Sequence, residues 1–185
     1  MNAYVWRRDV IKAHDSIAIV LYHRDKHSFL LVRQFRPALY ASLLRTAGCT
    51  NTADTDAKPP PLSQAFTYEL CAGLVDKEKS LEEIAHEEVM EECGYDVPVA
   101  AVHKMTSYTA SVGVQGTCQT LFYAEVDESM RMGSAGGVAT DGERIELLAL
   151  PVDRTEAFLM DESVPKTPGA LFGLLWAKNK LVQKA

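Results

Sequence analysis

The segment from Ser80 to Cys93 constrains the fold more than any other part of the chain, because it predicts a helix with defined ends. Ser80 and Glu83 have the spacing of a capping box, in which each residue satisfies the backbone N–H of the other. Gly94 follows where a helix commonly ends in a left-handed residue. The sequence therefore predicts a helix that begins after Ser80 and ends before Gly94.

The apolar face of this helix also carries carboxylates. At about 100° per residue, with Leu81 at zero, the apolar side chains lie between about 300° and about 80°. Glu88 and Glu92 fall at about 340° and about 20°, within that face, and Glu91 lies at its edge at about 280°. Buried carboxylates need cations or donors, and a hard divalent cation such as Mg²⁺ accepts oxygen ligands. A solvated acidic helix is the alternative, and it suits the remaining glutamates better.

Much of the acidity of the chain is concentrated here. The 185 residues have a formal net charge of −6, and residues 76–92 alone hold eight acids and two bases, which is the same net charge. The rest is neutral overall and has no basic face, which argues against a general nucleic-acid binder. A hydrophobic content of 47% is that of one globular domain rather than of an acidic disordered tail.

The cysteines and the N-terminus indicate the compartment. Four cysteines without a CxxC pair argue against a zinc site or a disulfide scaffold and favour thiols in a reducing compartment. The first residues, MNAYVWRRDVIKAHD, contain no apolar signal core, and no run is long enough to cross a membrane. We therefore expect a soluble, cytoplasmic protein.

Apolar, β-branched runs between turn signals predict strands, and two regions predict helices besides the segment described above. The stretch from about 43 to 65 has no periodicity and is predicted to be a loop insertion. A mixed sheet with helices packed on it, of the α/β (α+β) class, follows from this order. The predicted strands are 15–22, 28–32, 66–71, 99–106, 118–126 and 145–150, and the further helices are 154–160 and 168–181.

The stretch AGLVDKEKSLEEIAHEEVMEECGY resembles the Nudix box, the signature of hydrolases that cleave nucleoside diphosphates linked to another group. Gly73 begins the pattern, and Glu88, Glu91, Glu92 and Gly94 follow at the expected spacings. Two positions depart from the pattern, since Lys79 stands where the family has Glu and Glu87 where it has Arg. In the family these two positions are thought to pair, so the exchange of charges predicts an ion pair between Lys79 and Glu87.

Resemblance extends beyond the box through KAHDSIAIVLY, LVRQFRPALYA, YELCAGLVD, DGERIELLALPV and VPKTPGALFGLLW, which look like the nucleotide-sugar branch of the Nudix superfamily, with the ADP-ribose branch next. It implies an α/β/α sandwich over residues 14–185, a shortened N-terminal β segment over 1–13, and a homodimer. The implied reaction is hydrolysis of UDP-glucose to UMP and glucose 1-phosphate. ADP-ribose hydrolysis and a non-catalytic nucleotide-binding protein are the alternatives.

The resemblance also assigns the metal site. It implies that Glu88, Glu92 and the backbone carbonyl of Ala72 bind Mg²⁺ or Mn²⁺, with Glu91 nearby, and that Glu91 and Glu92 act in catalysis. Carboxylate and carbonyl oxygens are the ligands that Mg²⁺ prefers, and two or three ions would bridge a diphosphate.

Further roles fall outside the helix. Glu143, on a glycine-flanked loop, matches a family candidate for the general base, with Glu146 as the alternative. Arg36 matches a substrate-binding arginine that would bind diphosphate oxygens, and Arg33 is the alternative. Glu69 is expected to bind a ribose or sugar hydroxyl.

Overall fold

The computed structural model describes residues 9–49, 57–133 and 145–184, and within them seven strands and four helices. A short 3₁₀ turn, Leu62–Ala65, precedes the third strand, and a π-helical turn over Val89–Cys93 continues the second helix. The strands are β1 Ser16–His23, β2 Ser28–Phe35, β3 Phe66–Glu69, β4 Cys71–Leu74, β5 His103–Ala110, β6 Thr117–Val126 and β7 Ile145–Pro151, and the helices are α1 Pro37–Thr46, α2 Leu81–Glu88, α3 Thr155–Met160 and α4 Pro168–Lys184.

The predicted mixed sheet is confirmed, but it has seven strands rather than six, because the predicted strand 66–71 is divided into β3 and β4. Strand β1 runs parallel to β6 and antiparallel to β2 and β4, and β7 pairs with the outer side of β2. Strands β3 and β4 follow each other directly, with β3 paired to the end of β2 and β4 paired to the start of β1. Strands β1 and β2 pair only near their connecting turn and diverge beyond it, and β3 and β4 occupy the space between them, here called the fork. This fork becomes one wall of the candidate site.

Helices cover both faces of the sheet, which confirms the α/β/α sandwich. Strand residues alternate between the faces: Ile17 and Ile19 pack with Val89 on the face that carries α2, whereas Ala18 and Val20 pack with α4 on the other. The isoleucine and valine side chains among them are fully buried, and burying one contributes roughly 1.5–3 kcal/mol. Helix α2 is thus fixed on the sheet by the apolar stripe that the sequence identified.

The predicted loop over 43–65 was wrong at both ends. Helix α1 extends to Thr46, and a 3₁₀ turn occupies Leu62–Ala65. Helix α1 begins with Pro37, a residue favoured in a first turn, but none of its residues is buried. Its partly buried apolar residues nevertheless recur at helical spacing, so the sequence carried a helical pattern that the prediction missed: Leu39, Tyr40, Leu43 and Leu44.

The N-terminal segment and the start of β5 also differ from the prediction. Residues 9–13 form no strand, and residues 1–8 of the expected N-terminal β segment lie outside the described residues. Strand β5 begins at His103 rather than at Val99, because a 3₁₀ turn over Val99–Ala101 follows Pro98. In the described part of the chain, no helix is both long and apolar enough to cross a membrane.

Candidate active site

The acidic helix has the ends that the sequence predicted. The Ser80 hydroxyl accepts a hydrogen bond from the Glu83 N–H at 3.2 Å, and the Glu83 carboxylate accepts one from the Ser80 N–H at 2.8 Å. Gly94 ends the π-helical turn with a φ of 74°. Both ends are therefore held by local interactions, and these fix how the glutamates are presented to the sheet.

Glu88 lies directly over Gly73, the glycine that begins the box. A Cβ atom added at Gly73 would stand 2.2 Å from both the Cδ and the Oε1 atoms of Glu88. Any side chain at position 73 would occupy the space that this carboxylate fills. Glu88 is half-buried rather than buried, because it covers the edge of β4 and faces an open cleft.

Glu92 is the buried carboxylate, with 3% of its surface exposed. Its Oε2 atom accepts a hydrogen bond from the Ala72 N–H at 3.0 Å. Because the N–H and C=O groups of one strand residue project to the same edge, the Ala72 carbonyl also points to the edge where Glu92 lies. The predicted ligands Ala72 and Glu92 therefore share one edge of β4, the edge that faces away from β1.

A cleft of about 450 Å³ joins these groups to Glu91, which is exposed at its rim. Acids outnumber bases among its lining side chains, so a diphosphate would meet a negative field unless cations enter with it. The cleft is lined by Ser16, Gln34, Arg36, Glu69, Ala72, Gly73, Leu74, Asp76, Lys77, Glu88, Glu91, Glu92 and Gln119.

The donor set suits a hard divalent ion. Carboxylates on one helix and a strand carbonyl are oxygen ligands of the kind that Mg²⁺ takes, together with water and substrate phosphates. Among the described residues, no three His, Cys, Asp or Glu side chains are clustered closely enough to bind an ion by themselves. A magnesium ion bound here would take further ligands from the backbone, from water and from substrate phosphates.

Arg36 and Glu69 form a fork-to-fork ion pair beside the carboxylates. The Arg36 Nε and Nη2 atoms donate to the two Glu69 oxygens, each at 2.7 Å, and the Thr67 hydroxyl also donates to Glu69. Glu69 is almost fully buried, whereas Arg36 is exposed to the cleft. Both Glu69 oxygens thus hold the guanidinium of Arg36, a contact that the sequence did not indicate, and the expected contact to a sugar hydroxyl stays a prediction.

Arg33 and Glu146 lie elsewhere. They face each other across β2 and β7, with the Arg33 Nη1 atom 2.6 Å from the Glu146 Oε2 atom. The Arg33 guanidinium lies 4.2 Å from the ring centre of Phe66, and none of these three residues lines the cleft. Side chains alternate along β2, so Arg33 points to the sheet face opposite to α2, and the predictions of Arg33 as a substrate residue and of Glu146 as the base are not supported. Glu143, the preferred base, lies outside the described residues.

The predicted ion pair between Lys79 and Glu87 is confirmed. Lys77 contacts the same carboxylate, with its Nζ atom 3.2 Å from the Glu87 Oε2 atom. The two ammonium groups, that of Lys79 first, lower the pKa of the Glu87 carboxyl. The exchanged charges therefore still brace the loop before α2 against the helix.

Sequence reasoning missed several cleft residues. Ser16, Gln34, Lys77 and Gln119 line the cleft, but each lies in an ordinary strand or polar turn that carries no local signal. Only the way in which distant strands meet at the fork brings them together.

Comparisons with known proteins identify relatives of the chain, although no protein-family model matches it. The chain is 42% identical over 176 residues to the uridine diphosphate glucose pyrophosphatase of Bos taurus, covering 91% of this chain and 79% of that protein. It is 38% identical over 182 residues to the protein of the same name from Mus musculus, covering 94% and 82%. It is also 34% identical over 154 residues to the GDP-mannose pyrophosphatase of Pectobacterium atrosepticum, covering 83% and 68%.

The sandwich fold, the glycine beneath Glu88 and these relatives lead to one conclusion. The chain belongs to the Nudix hydrolase superfamily. Within that superfamily, the relatives reported above are named as pyrophosphatases of nucleotide sugars.

Proposed function

We propose that this protein hydrolyses the diphosphate bond of a nucleoside diphosphate sugar, with UDP-glucose as the preferred substrate and UMP and glucose 1-phosphate as products. The observation that carries the proposal is the packing of the Glu88 carboxylate on Gly73 beside the Glu92 contact to Ala72. The names of the two relatives at 42% and 38% identity support the choice of UDP-glucose.

The reaction depends on Mg²⁺ or Mn²⁺ in this proposal. Glu88, Glu92 and the Ala72 carbonyl would hold two or three ions, with Glu91 at the rim of the cleft. Bound Mg²⁺ would neutralise phosphate charge and lower the pKa of the attacking water. Glu91 and Glu92 thereby contribute to catalysis, and Glu143 is the proposed base that removes the proton of the water.

Arg36 binds oxygens of the diphosphate in this proposal. Its guanidinium carries a fixed charge and a planar set of donors, two of which are used by Glu69. Because Glu69 is almost fully buried, it holds the guanidinium in one orientation. The role of Glu69 is therefore to orient Arg36 before substrate arrives, which reduces the entropy lost on binding.

We also propose a homodimer in the cytoplasm, with residues 14–185 as its catalytic domain. Helix α4 presents Leu171, Phe172 and Leu175 outward, and these residues are 38%, 48% and 50% exposed. Apolar side chains grouped on an outer helix face favour association. Light scattering on a size-exclusion column should give about twice the chain mass of 20.4 kDa, and a monomeric mass at micromolar concentration would contradict the dimer.

A product assay in ¹⁸O-labelled water tests the function. UDP-glucose, GDP-mannose and ADP-ribose are assayed in parallel with Mg²⁺, and the masses of the separated products are measured by mass spectrometry. We expect the highest kcat/KM with UDP-glucose, and the labelled product identifies the phosphorus that water attacks. A clear preference for ADP-ribose would overturn the substrate assignment, and no hydrolysis of any of the three would favour a non-catalytic nucleotide-binding protein.

A further inference from the structure

Two lysines contact Glu87, but only one of them faces the cleft. Lys77 and Lys79 lie on the tight turn before α2, where the Lys79 N–H donates to the Lys77 carbonyl at 3.0 Å. This turn directs both ammonium groups to the same carboxylate. Lys77 also lines the cleft with Glu88 and Glu91, whereas Lys79 does not.

The two cations of the cleft wall are held very differently. Arg36 is fixed by two hydrogen bonds to a buried carboxylate. In the described part of the chain, the contact of the Lys77 Nζ atom to Glu87 is one of 3.2 Å, and both of those side chains are partly exposed, at 40% and 28%. Exposed ion pairs of this kind contribute little to stability, so the contact is easily exchanged for another anion.

Glu87 does not depend on Lys77. If the Lys77 ammonium moves away, Glu87 keeps its ion pair with Lys79. The loop brace then survives while one flexible ammonium becomes available within the cleft. The nearby carboxylates Glu91 and Glu88 also favour the charged form and raise the pKa of Lys77, after the larger effect of Glu87 itself.

We propose that Lys77 is a substrate-binding residue whose ammonium leaves Glu87 and contacts the diphosphate when a nucleotide sugar enters the cleft. This inference rests on the proposed function. Arg36 supplies a fixed positive charge from the strand side of the cleft, and Lys77 supplies a mobile one from the turn before α2. Lysine suits this role because its ammonium is a compact charge on a long flexible stem.

Replacing each lysine by methionine separates phosphate binding from loop bracing. Lys77→Met and Lys79→Met each remove one partner of Glu87, so both report on loosening of the loop. Only Lys77→Met also removes a charged hydrogen-bond donor to phosphate, and such donors are worth about tenfold to hundredfold in affinity. We expect kcat/KM for UDP-glucose to fall at least about tenfold more with Lys77→Met than with Lys79→Met.

Binding provides the second readout. Calorimetry with a methylene-bridged analogue of UDP-glucose, which cannot be hydrolysed, should show weaker binding for Lys77→Met than for Lys79→Met. Lys77→Arg keeps the charge and should recover most of the affinity, and it serves as the test should Lys77→Met fold poorly. Thermal melting of every variant confirms that the comparison is made between folded proteins.

Three results would overturn the proposal, and they can be told apart. If the wild-type protein is active and both methionine variants lose kcat/KM equally, Lys77 only braces the loop and does not bind substrate. A Lys77→Met variant that needs less Mg²⁺ for half-maximal rate, but reaches the wild-type rate at saturation, would make Lys77 a counter-ion for the carboxylates. A wild-type protein that hydrolyses no nucleotide sugar would refute the proposed function and this inference with it.

Discussion

Adding one methyl group at Gly73 should displace the carboxylate of Glu88, a proposed metal ligand, without unfolding the protein. In Gly73→Ala, the new Cβ would stand 2.2 Å from the Cδ and Oε1 atoms of Glu88, whereas an ordinary contact begins at 3.4 Å. The carboxylate must therefore move by at least about 1.2 Å, assuming ordinary packing distances. These atoms are the far end of a flexible, half-buried side chain, so the movement is inexpensive for the fold.

The loss should appear in catalysis. A misplacement of about 1 Å at a reacting site lowers the rate by about 10²-fold, which corresponds to about 2.7 kcal/mol in the activation barrier. Alanine is more favourable than glycine in a strand by about 0.5–1 kcal/mol, so the melting temperature should stay the same or rise slightly. The assay is UDP-glucose hydrolysis across a range of Mg²⁺ concentrations, with melting followed by circular dichroism.

Glu88→Gln provides the matched control. If the methyl group acts through Glu88, adding Gly73→Ala to Glu88→Gln should lower the rate little further, because the ligand has already been lost. Wild-type kcat and Mg²⁺ dependence in Gly73→Ala would refute this reasoning. Equal and additive losses in the double variant would show that the methyl group acts on some other part of the site.

Three further outcomes follow from the geometry. Glu69→Gln should lower kcat/KM about tenfold by loosening Arg36; an unchanged value would contradict the orienting role of Glu69. Burial raises the pKa of the Cys71 thiol, so a thiol reagent at pH 8 should modify exposed Cys118 quickly and Cys71 only after unfolding; rapid labelling of Cys71 in the folded protein would contradict the packing. The Ser80 hydroxyl and N–H lower the pKa of the Glu83 carboxyl below its ordinary 4.5, so the ionised carboxylate stabilises the fold above pH 4.5 and this contribution is lost as pH falls through the lowered pKa. Glu83→Gln should therefore flatten the fall in melting temperature between about pH 5 and about pH 3. An unchanged slope would exclude the Glu83 carboxylate as the source of that fall.

Local sequence patterns predicted the parts of the molecule that depend on local interactions. The phase of Glu92 on its helix correctly indicated a buried carboxylate, and the exchange at Lys79 and Glu87 correctly indicated an ion pair. Glu92 owes its burial to its phase on the helix, and Lys79 lies on the turn just before the helix that carries Glu87. Their relative positions follow from helical periodicity and a short connection.

The errors arose where distant strands determine the outcome. The contact between Glu69 and Arg36 was not predicted, because Arg36 reaches Glu69 only where the end of β2 pairs with β3. The choice between Arg33 and Arg36 depended on tertiary structure: Arg33 points from β2 away from α2 toward Phe66, whereas Arg36, just after β2, lines the cleft. Tertiary structure determines which strands pair and which side of the sheet a residue faces, so a single sequence could not decide either.

Glu92→Gln tests the central claim most directly, because it changes one buried carboxylate oxygen to an amide nitrogen with almost no change in shape. The amide oxygen can still accept the hydrogen bond from the Ala72 N–H, so the fold should be retained. The proposed site predicts that Mg²⁺-dependent hydrolysis of UDP-glucose falls by at least about 10²-fold, as expected when a group that positions the reaction is lost. A Glu92→Gln protein with wild-type turnover and wild-type Mg²⁺ dependence would contradict the account.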